Sequence, residues 1–280
     1  MNHADKKVTG WDFYFFRSRM AFRYRISGIT PERALELPWC FNRLILPPDG
    51  VLLDIGSRNS EFPLFVAWKT RSRVIAVDVD PIILKQKEAA GKLARTIPLD
   101  VNKISFQQQD AVKMDFPDNY FDVVTAISVL EHITGDGDAQ TLSEIHRILK
   151  PGGHFYLTVP CAQKYTEEFV NRNVYGRKFS GEPLFFSRIY DDETLQGKLL
   201  NRTPLQVVEK TIFGQPHFDF YSVWWKKLPA SFRLLFCWMS PWIAAIFYRE
   251  MGAASESHGQ SIACLILKKD LLQDKQGGLK

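Results

Sequence analysis

The sequence predicts an α/β fold built on a mainly parallel sheet, and three observations carry that prediction. Short, mainly apolar runs recur along the chain at 51–55, 73–77, 121–127 and 154–159, with a more polar strand candidate at 104–109. Helix-patterned segments separate them, as expected of parallel strands covered on both faces. Helix-start and turn residues then stand at the junctions, with Asp80 before Pro81 and Pro151-Gly152-Gly153 after a helical pattern.

The elements follow in order. An aromatic and basic stretch from Trp11 to Arg25 reads as a helix or arm packed on the core, too rich in arginine to span a membrane. Thr30 before Pro31 marks a helix start, and that helix runs towards Leu46 despite Pro38. Pro47-Pro48-Asp49-Gly50 punctuates the entry to the first strand, 51–55. A helix over 61–69, a strand over 73–77 and a helix from Pro81 to about Leu93 come next, then strands at 104–109 and 121–127. A helix over 139–149 leads to a fifth strand, 154–159. Asp191-Asp192-Glu193-Thr194 opens another helix, and strands at 205–213 and 262–268 complete the set.

Four segments stand in a telling sequence: Asp54-Ile55-Gly56-Ser57 at the end of the first strand, Asp78 at the end of the second, Asp110-Ala111 after the third, and Ser128-Val129-Leu130-Glu131-His132 after the fourth. An acid and a glycine between a strand and a helix let backbone N–H groups approach a nucleotide-like ligand. From about Val51 to Pro160 this set resembles the class I S-adenosylmethionine (SAM)-dependent methyltransferases of small molecules. The resemblance implies a Rossmann-like seven-stranded sheet whose last strand is antiparallel, here with an N-terminal helical cover and an aromatic insertion between strands six and seven. The organisation it implies is a cover at 1–50, a SAM-binding core at 51–213, an inserted lid or membrane-contact segment at 214–261, and a last strand with a polar tail at 262–280.

The resemblance also assigns roles, with SAM as cofactor. Asp54, Gly56 and Ser57 would cradle the methionine part, Asp54 meeting its ammonium directly or through water. Asp78 would accept from both ribose hydroxyls, as a carboxylate with two acceptor oxygens can. Val79 would lie against the adenine, whose amine and edge would meet Asp110 and Ala111. Ser128 would line the floor beside the methyl. It occupies a position where some relatives carry a metal-binding Glu, so no metal is expected. His132 is the candidate base for a hydroxyl acceptor, because a histidine titrates near neutrality. Tyr175, Arg188 and Tyr190 are expected around the acceptor. The family's acid-x-Gly-x-Gly-x-Gly pattern is altered: Arg58 and Ser60 replace the later glycines. A scaffold protein that binds SAM without turnover is therefore the alternative.

Composition narrows the partners. A formal charge of +5 over 280 residues, with no Arg/Lys stripe, does not argue for nucleic acid. Cys40, Cys161, Cys237 and Cys264 are scattered, with no zinc spacing, and suit reduced thiols in a cytoplasmic protein without a secretory signal. The insertion carries Trp224, Trp225, Trp238 and Trp242 around an apolar run broken at Pro241, flanked by Lys226, Lys227, Arg233 and Arg249. A lid over an apolar substrate, an interfacial anchor on a membrane and a dimer contact are the three readings. The expected acceptor is a small or lipid-linked molecule methylated on oxygen.

Overall fold

A computed structural model describes residues 7–20, 28–70, 72–175, 177–225, 227–229, 231–232 and 236–271. Arg25, Lys226, Arg233, residues 234–235 and the tail beyond 271 lie outside the described residues.

Two helices precede the sheet. Helix α1 spans Gly10–Met20, and α2 spans Pro31–Arg43. Thr30 caps α2, its hydroxyl accepting from the Arg33 N–H at 3.3 Å, with Pro31 where its missing donor costs nothing. The chain then alternates through β1 (Val51–Ile55), α3 (Phe62–Lys69), β2 (Arg73–Asp78), α4 (Gln86–Leu93), β3 (Ile104–Gln108), β4 (Phe121–Ile127), α5 (Gly137–Ile148) and β5 (Leu149–Cys161). Asp80 caps a tight 3-10 turn, Pro81–Lys85, so the single helix expected from Pro81 is in fact this turn followed by α4. Strand β5 begins at Leu149 rather than at His154. Its first residues pair irregularly with β4, and the register shifts between Phe121 and Val123.

Strands β6 (Thr166–Val170) and β7 (Leu184–Ile189) form a separate antiparallel hairpin. Asp191 and Thr194 then form a reciprocal capping box before a helical turn. Strand β8 (Gln206–Gly214), helix α6 (Ser240–Phe247), β9 (Arg249–Met251) and β10 (Ser261–Lys268) finish the described chain. The main sheet has the order β3-β2-β1-β4-β5-β10-β8-β9. β1 to β5 are parallel, and β10 runs antiparallel between β5 and β8. The α/β sheet with an antiparallel last strand is thus present. Short β9 adds an eighth strand beyond the expected seven, pairing with β8 over three residues.

Alternate residues of each strand feed two cores. Leu52, Val74 and Val123 join Phe13, Phe16, Leu37 and Phe65 from α1, α2 and α3 on one face. Leu53, Ile75 and Val124 meet Leu142, Ile145 and Ile148 of α5 on the other. The period-2 alternation of strands thus divides consecutive apolar residues between two layers. The order reverses between β1 and β4, and ligands bind at the carboxyl ends of the strands at such a point. Among the described residues no helix is long and apolar enough to cross a membrane.

Candidate active site

A cleft of about 650 Å³ opens at this reversal, within the range of small-molecule sites. Its walls bring together Gly56, Ser57, Asp78, Val79, Asp110, Ala111, Ser128, His132 and Tyr175.

Gly56 has φ +68° where the chain turns out of β1, and a Cβ there would lie 2.4 Å from Val129 Cγ2. Only glycine fits so close an approach in this conformation. Asp54 is buried and turned inward. Its Oδ1 accepts from Thr125 Oγ1 at 2.6 Å and its Oδ2 from Ser57 Oγ at 2.5 Å. Burial pushes its pKa up to about 6 despite those hydrogen bonds. Asp54 is absent from the cleft wall, so its carboxylate secures the loop through Ser57 rather than facing the cleft.

Asp78 does reach the wall. Its Oδ2 accepts from the Arg58 N–H at 2.9 Å and its Oδ1 from the Asp80 N–H at 2.8 Å. Each oxygen keeps a lone pair for a ligand. Burial holds the Asp78 pKa above the usual carboxylate value, against those two backbone bonds. Arg58, one of the departures from the glycine pattern, takes φ +35°; its Nε lies 3.2 Å from Asp80 Oδ2. Val79 is half exposed within the cleft, an apolar surface beside Asp78. Asp110 Oδ1 is occupied by the Val112 N–H at 3.1 Å.

At the end of β4, Ser128 is held at φ +52°. Its N–H donates to Thr158, and its hydroxyl donates to the buried Glu36 at 2.9 Å. A non-glycine residue kept in the left-handed region is strained, and such strain concentrates at functional sites. His132 packs tilted against the rings of Tyr175 and Phe186, at 5.0 and 5.1 Å, and these two stack on each other at 6.1 Å. Its Nδ1 lies 2.7 Å from the Phe186 carbonyl, which can only accept. Nδ1 therefore carries the proton, and Nε2 keeps its lone pair. Burial lowers the His132 pKa, although the Phe186 bond opposes this, so the ring is neutral at pH 7. Glu131 Oε1 stands 3.7 Å from Nε2, and burial pushes the Glu131 pKa up to about 8.

Tyr175 lines the cleft, whereas Arg188 and Tyr190 lie behind it. Arg188 Nη1 pairs with Asp138 Oδ2 at 2.5 Å, and Nη2 donates to the carbonyls of Ile133 and Gly135. The Tyr190 hydroxyl donates to the same Asp138 oxygen at 3.1 Å. Both side chains are buried behind the wall, their terminal groups held by Asp138 and by the loop that follows His132, which corrects their placement around an acceptor; the Arg188 Nε is left without a hydrogen-bond partner among the described residues.

The N-terminal helices and the residues leading into α2 supply cleft residues that sequence patterns did not reveal: Arg17, Gly28, Ile29, Thr30 and Arg33. Arg17 ion-pairs with Glu61. Arg33 lies 3.2 Å from Glu36 Oε1 and donates to the Ile127 carbonyl. Their signal was faint, because an Arg three residues before a Glu in a helix is usually a surface pair. Among the described residues no cluster of His, Cys, Asp and Glu suits a metal ion.

Residues 53–157 match the family described as the methyltransferase domain. The chain is similar to the ubiquinone/menaquinone biosynthesis C-methyltransferase of Stutzerimonas stutzeri, 30% identical over 146 residues, covering 51% of this chain and 56% of that protein. It is also similar to the human eEF1A lysine and N-terminal methyltransferase, 26% identical over 209 residues, covering 72% of this chain and 27% of that protein. The chain thus spans between about a quarter and somewhat over half of the length of these relatives. In structure it resembles a SAM-dependent methyltransferase from Methanosarcina mazei, with a TM-score of 0.52 at 17% identity, covering 84% of this chain and 98% of that one.

Proposed function

We propose, from the match of residues 53–157 to the methyltransferase-domain family, that the chain is a class I SAM-dependent methyltransferase that transfers a methyl group from SAM to a small or lipid-linked acceptor, on oxygen. The observation that carries the reading is a single cleft holding both an acceptor-ready carboxylate, Asp78, and an imidazole, His132, whose Nε2 is unprotonated.

The cleft fits SAM by its donors and its shape. Gly56 leaves the backbone bare where a Cβ would collide with Val129, so Gly56 and Ser57 suit the methionine part. Asp78 suits the ribose hydroxyls. Val79, Asp110 and Ala111 suit the adenine. When bound, SAM supplies an electrophilic methyl on a sulfonium, and catalysis then rests largely on positioning in a dry site. His132 takes the proton of the acceptor hydroxyl on Nε2, while Phe186 holds the ring in the required tautomer. Tyr175 packs at a tilt against that ring and borders the acceptor. Arg188 and Tyr190 act as positioning residues through Asp138.

In this reading residues 51–213 with the final strand from 262 form the cofactor-binding core, 1–50 roofs it, and 214–261 is an added segment. Likeness to a C-methyltransferase favours a second reading, methylation of an activated carbon, with the same Nε2 taking the carbon's proton. Incubation of labelled SAM with cell extract, followed by identification of the labelled product, tests the proposal. Transfer to one product that His132→Ala abolishes while still binding SAM supports it, and an ether or C–C linkage separates the two readings. SAM binding without transfer to any extract component would favour the scaffold alternative.

A further inference from the structure

We propose that an aromatic face formed by α1 and residues 236–247 docks on an anionic phospholipid surface, setting the mouth of the cleft against the bilayer. Only the consequence for acceptor delivery rests on the methyltransferase reading.

The face is continuous. Trp11 meets Phe15 at 6.0 Å and Trp242 at 5.0 Å between ring centroids, and Trp242 meets Trp238 at 5.8 Å. Trp238, Trp242, Ala245 and Ile246 follow helical spacing on the outer side, while Ala244 and Pro241 are buried. Phe15 is 56% exposed, Trp242 49% and Ile246 60%, an expanse of large apolar side chains that a protein surface seldom leaves to water. Beyond Ile246, Phe247 stacks on Phe220 at 4.0 Å and meets Phe218 at 5.7 Å, which extends the face.

No charged residue occurs from Phe236 to Tyr248, and cations stand around this stretch together with one exposed anion, Glu250. Arg249 is exposed and donates to the carbonyls of Ala245 and Tyr248, which fixes its charge at the end of the helix. Arg19 is exposed on α1, and Lys227 is exposed upstream. An apolar stripe with tryptophans and flanking cations suits the boundary of an anionic membrane. At eight residues α6 is too short to span one. Around the face the cations Arg19, Lys227 and Arg249 outnumber the anions Glu250 and Asp12, and this surplus favours an anionic lipid over a second copy of the chain.

The face adjoins the cleft. Gly28, on the cleft wall, touches Cys237 so closely that a Cβ there would lie 2.7 Å from the Cys237 carbonyl oxygen. Docking therefore brings the rim of the cleft to the lipid surface, and an acceptor with an apolar tail reaches it without crossing water.

The test is co-sedimentation of the full chain with phosphatidylcholine vesicles, with and without about 30% phosphatidylglycerol. The expected result is binding to the anionic vesicles that falls at least tenfold in a Trp238→Ser/Trp242→Ser/Ile246→Ser variant, with SAM affinity measured in parallel unchanged. If that variant unfolds, Phe15→Ser with Arg19→Glu reads the same face from another helix. Failure of the native chain to bind vesicles, or equal binding by native chain and variant, would overturn the proposal. So would a dimer in sedimentation velocity that the variant breaks, with no vesicle binding. Vesicle binding without SAM binding would leave docking standing and remove the methyltransferase reading instead.

Discussion

The Arg58 N–H donates to Asp78 Oδ2 at 2.9 Å, so the residue that departs most from the glycine pattern of the first loop orients the carboxylate of the second strand. The bond is made by the backbone, which is why an arginine can stand there. Its side chain turns away to Asp80, 3.2 Å from Oδ2. Replacing Arg58 by Gly removes that exposed pair, worth at most about 1 kcal/mol, and relieves a left-handed arginine of about 1–2 kcal/mol. Arg58→Gly is expected to bind SAM within about fivefold of the native chain, as titration calorimetry would read, with thermal stability nearly unchanged.

Gly56 has no such tolerance. Gly56→Ala places a methyl 2.4 Å from Val129 Cγ2 at φ +68°. The loop must move or the strand end must open, at a cost of about 1–3 kcal/mol for the strained backbone alone. We expect a lower melting temperature and loss of measurable SAM binding. Pairing it with Val129→Ala should restore part of both, a result that separates collision from strain.

Glu131 makes stability depend on pH. Its folded pKa, about 8, lies above the ordinary 4.5 because burial disfavours the charged form. The folded state therefore holds a proton that the unfolded state releases, and stability falls as pH rises from about 4.5 to about 8. Every tenfold rise in proton affinity on folding is worth at most about 1.4 kcal/mol. Glu131→Gln should flatten the urea midpoint across this window and gain on the native chain at its alkaline end. Parallel profiles for the two proteins would contradict the assignment.

His132 sets the acid limb of activity. Its pKa is lowered from 6.5 by burial, so the base form persists below that pH, and the rate should fall only under it. His132→Ala is expected to lower kcat by about 10²–10⁴-fold. A profile whose acid limb lies above the ordinary histidine value would point to another group.

Much of the sheet was legible because parallel strands are apolar on both faces. Val51–Ile55 and Phe121–Ile127 stand where the runs of Val, Leu and Ile place them. The hairpin of β6 and β7 was not legible, since Thr166-Glu167-Glu168 is largely solvent-facing and carries no core pattern. Three-residue β9 is recognisable only from its pairing with β8. At the site, Asp78 and His132 announced themselves by standing at or just beyond strand ends. Arg33 and Glu36 did not, because their placement depends on how α2 crosses the sheet, which no local pattern encodes. Arg188 and Tyr190 misled for the opposite reason. Both are suited to binding a ligand, but Asp138, which stands 50 and 52 positions before them in the chain, already holds them.

The central claim, that this cleft holds SAM through Asp78, meets its most direct test in calorimetric titration of the purified chain with SAM and S-adenosylhomocysteine beside Asp78→Ala. Charge-assisted hydrogen bonds of about 1.5–3 kcal/mol each predict saturable binding by the native chain and a loss of at least about tenfold in the variant. No binding of either ligand by the native chain, or equal binding by the variant, would contradict it.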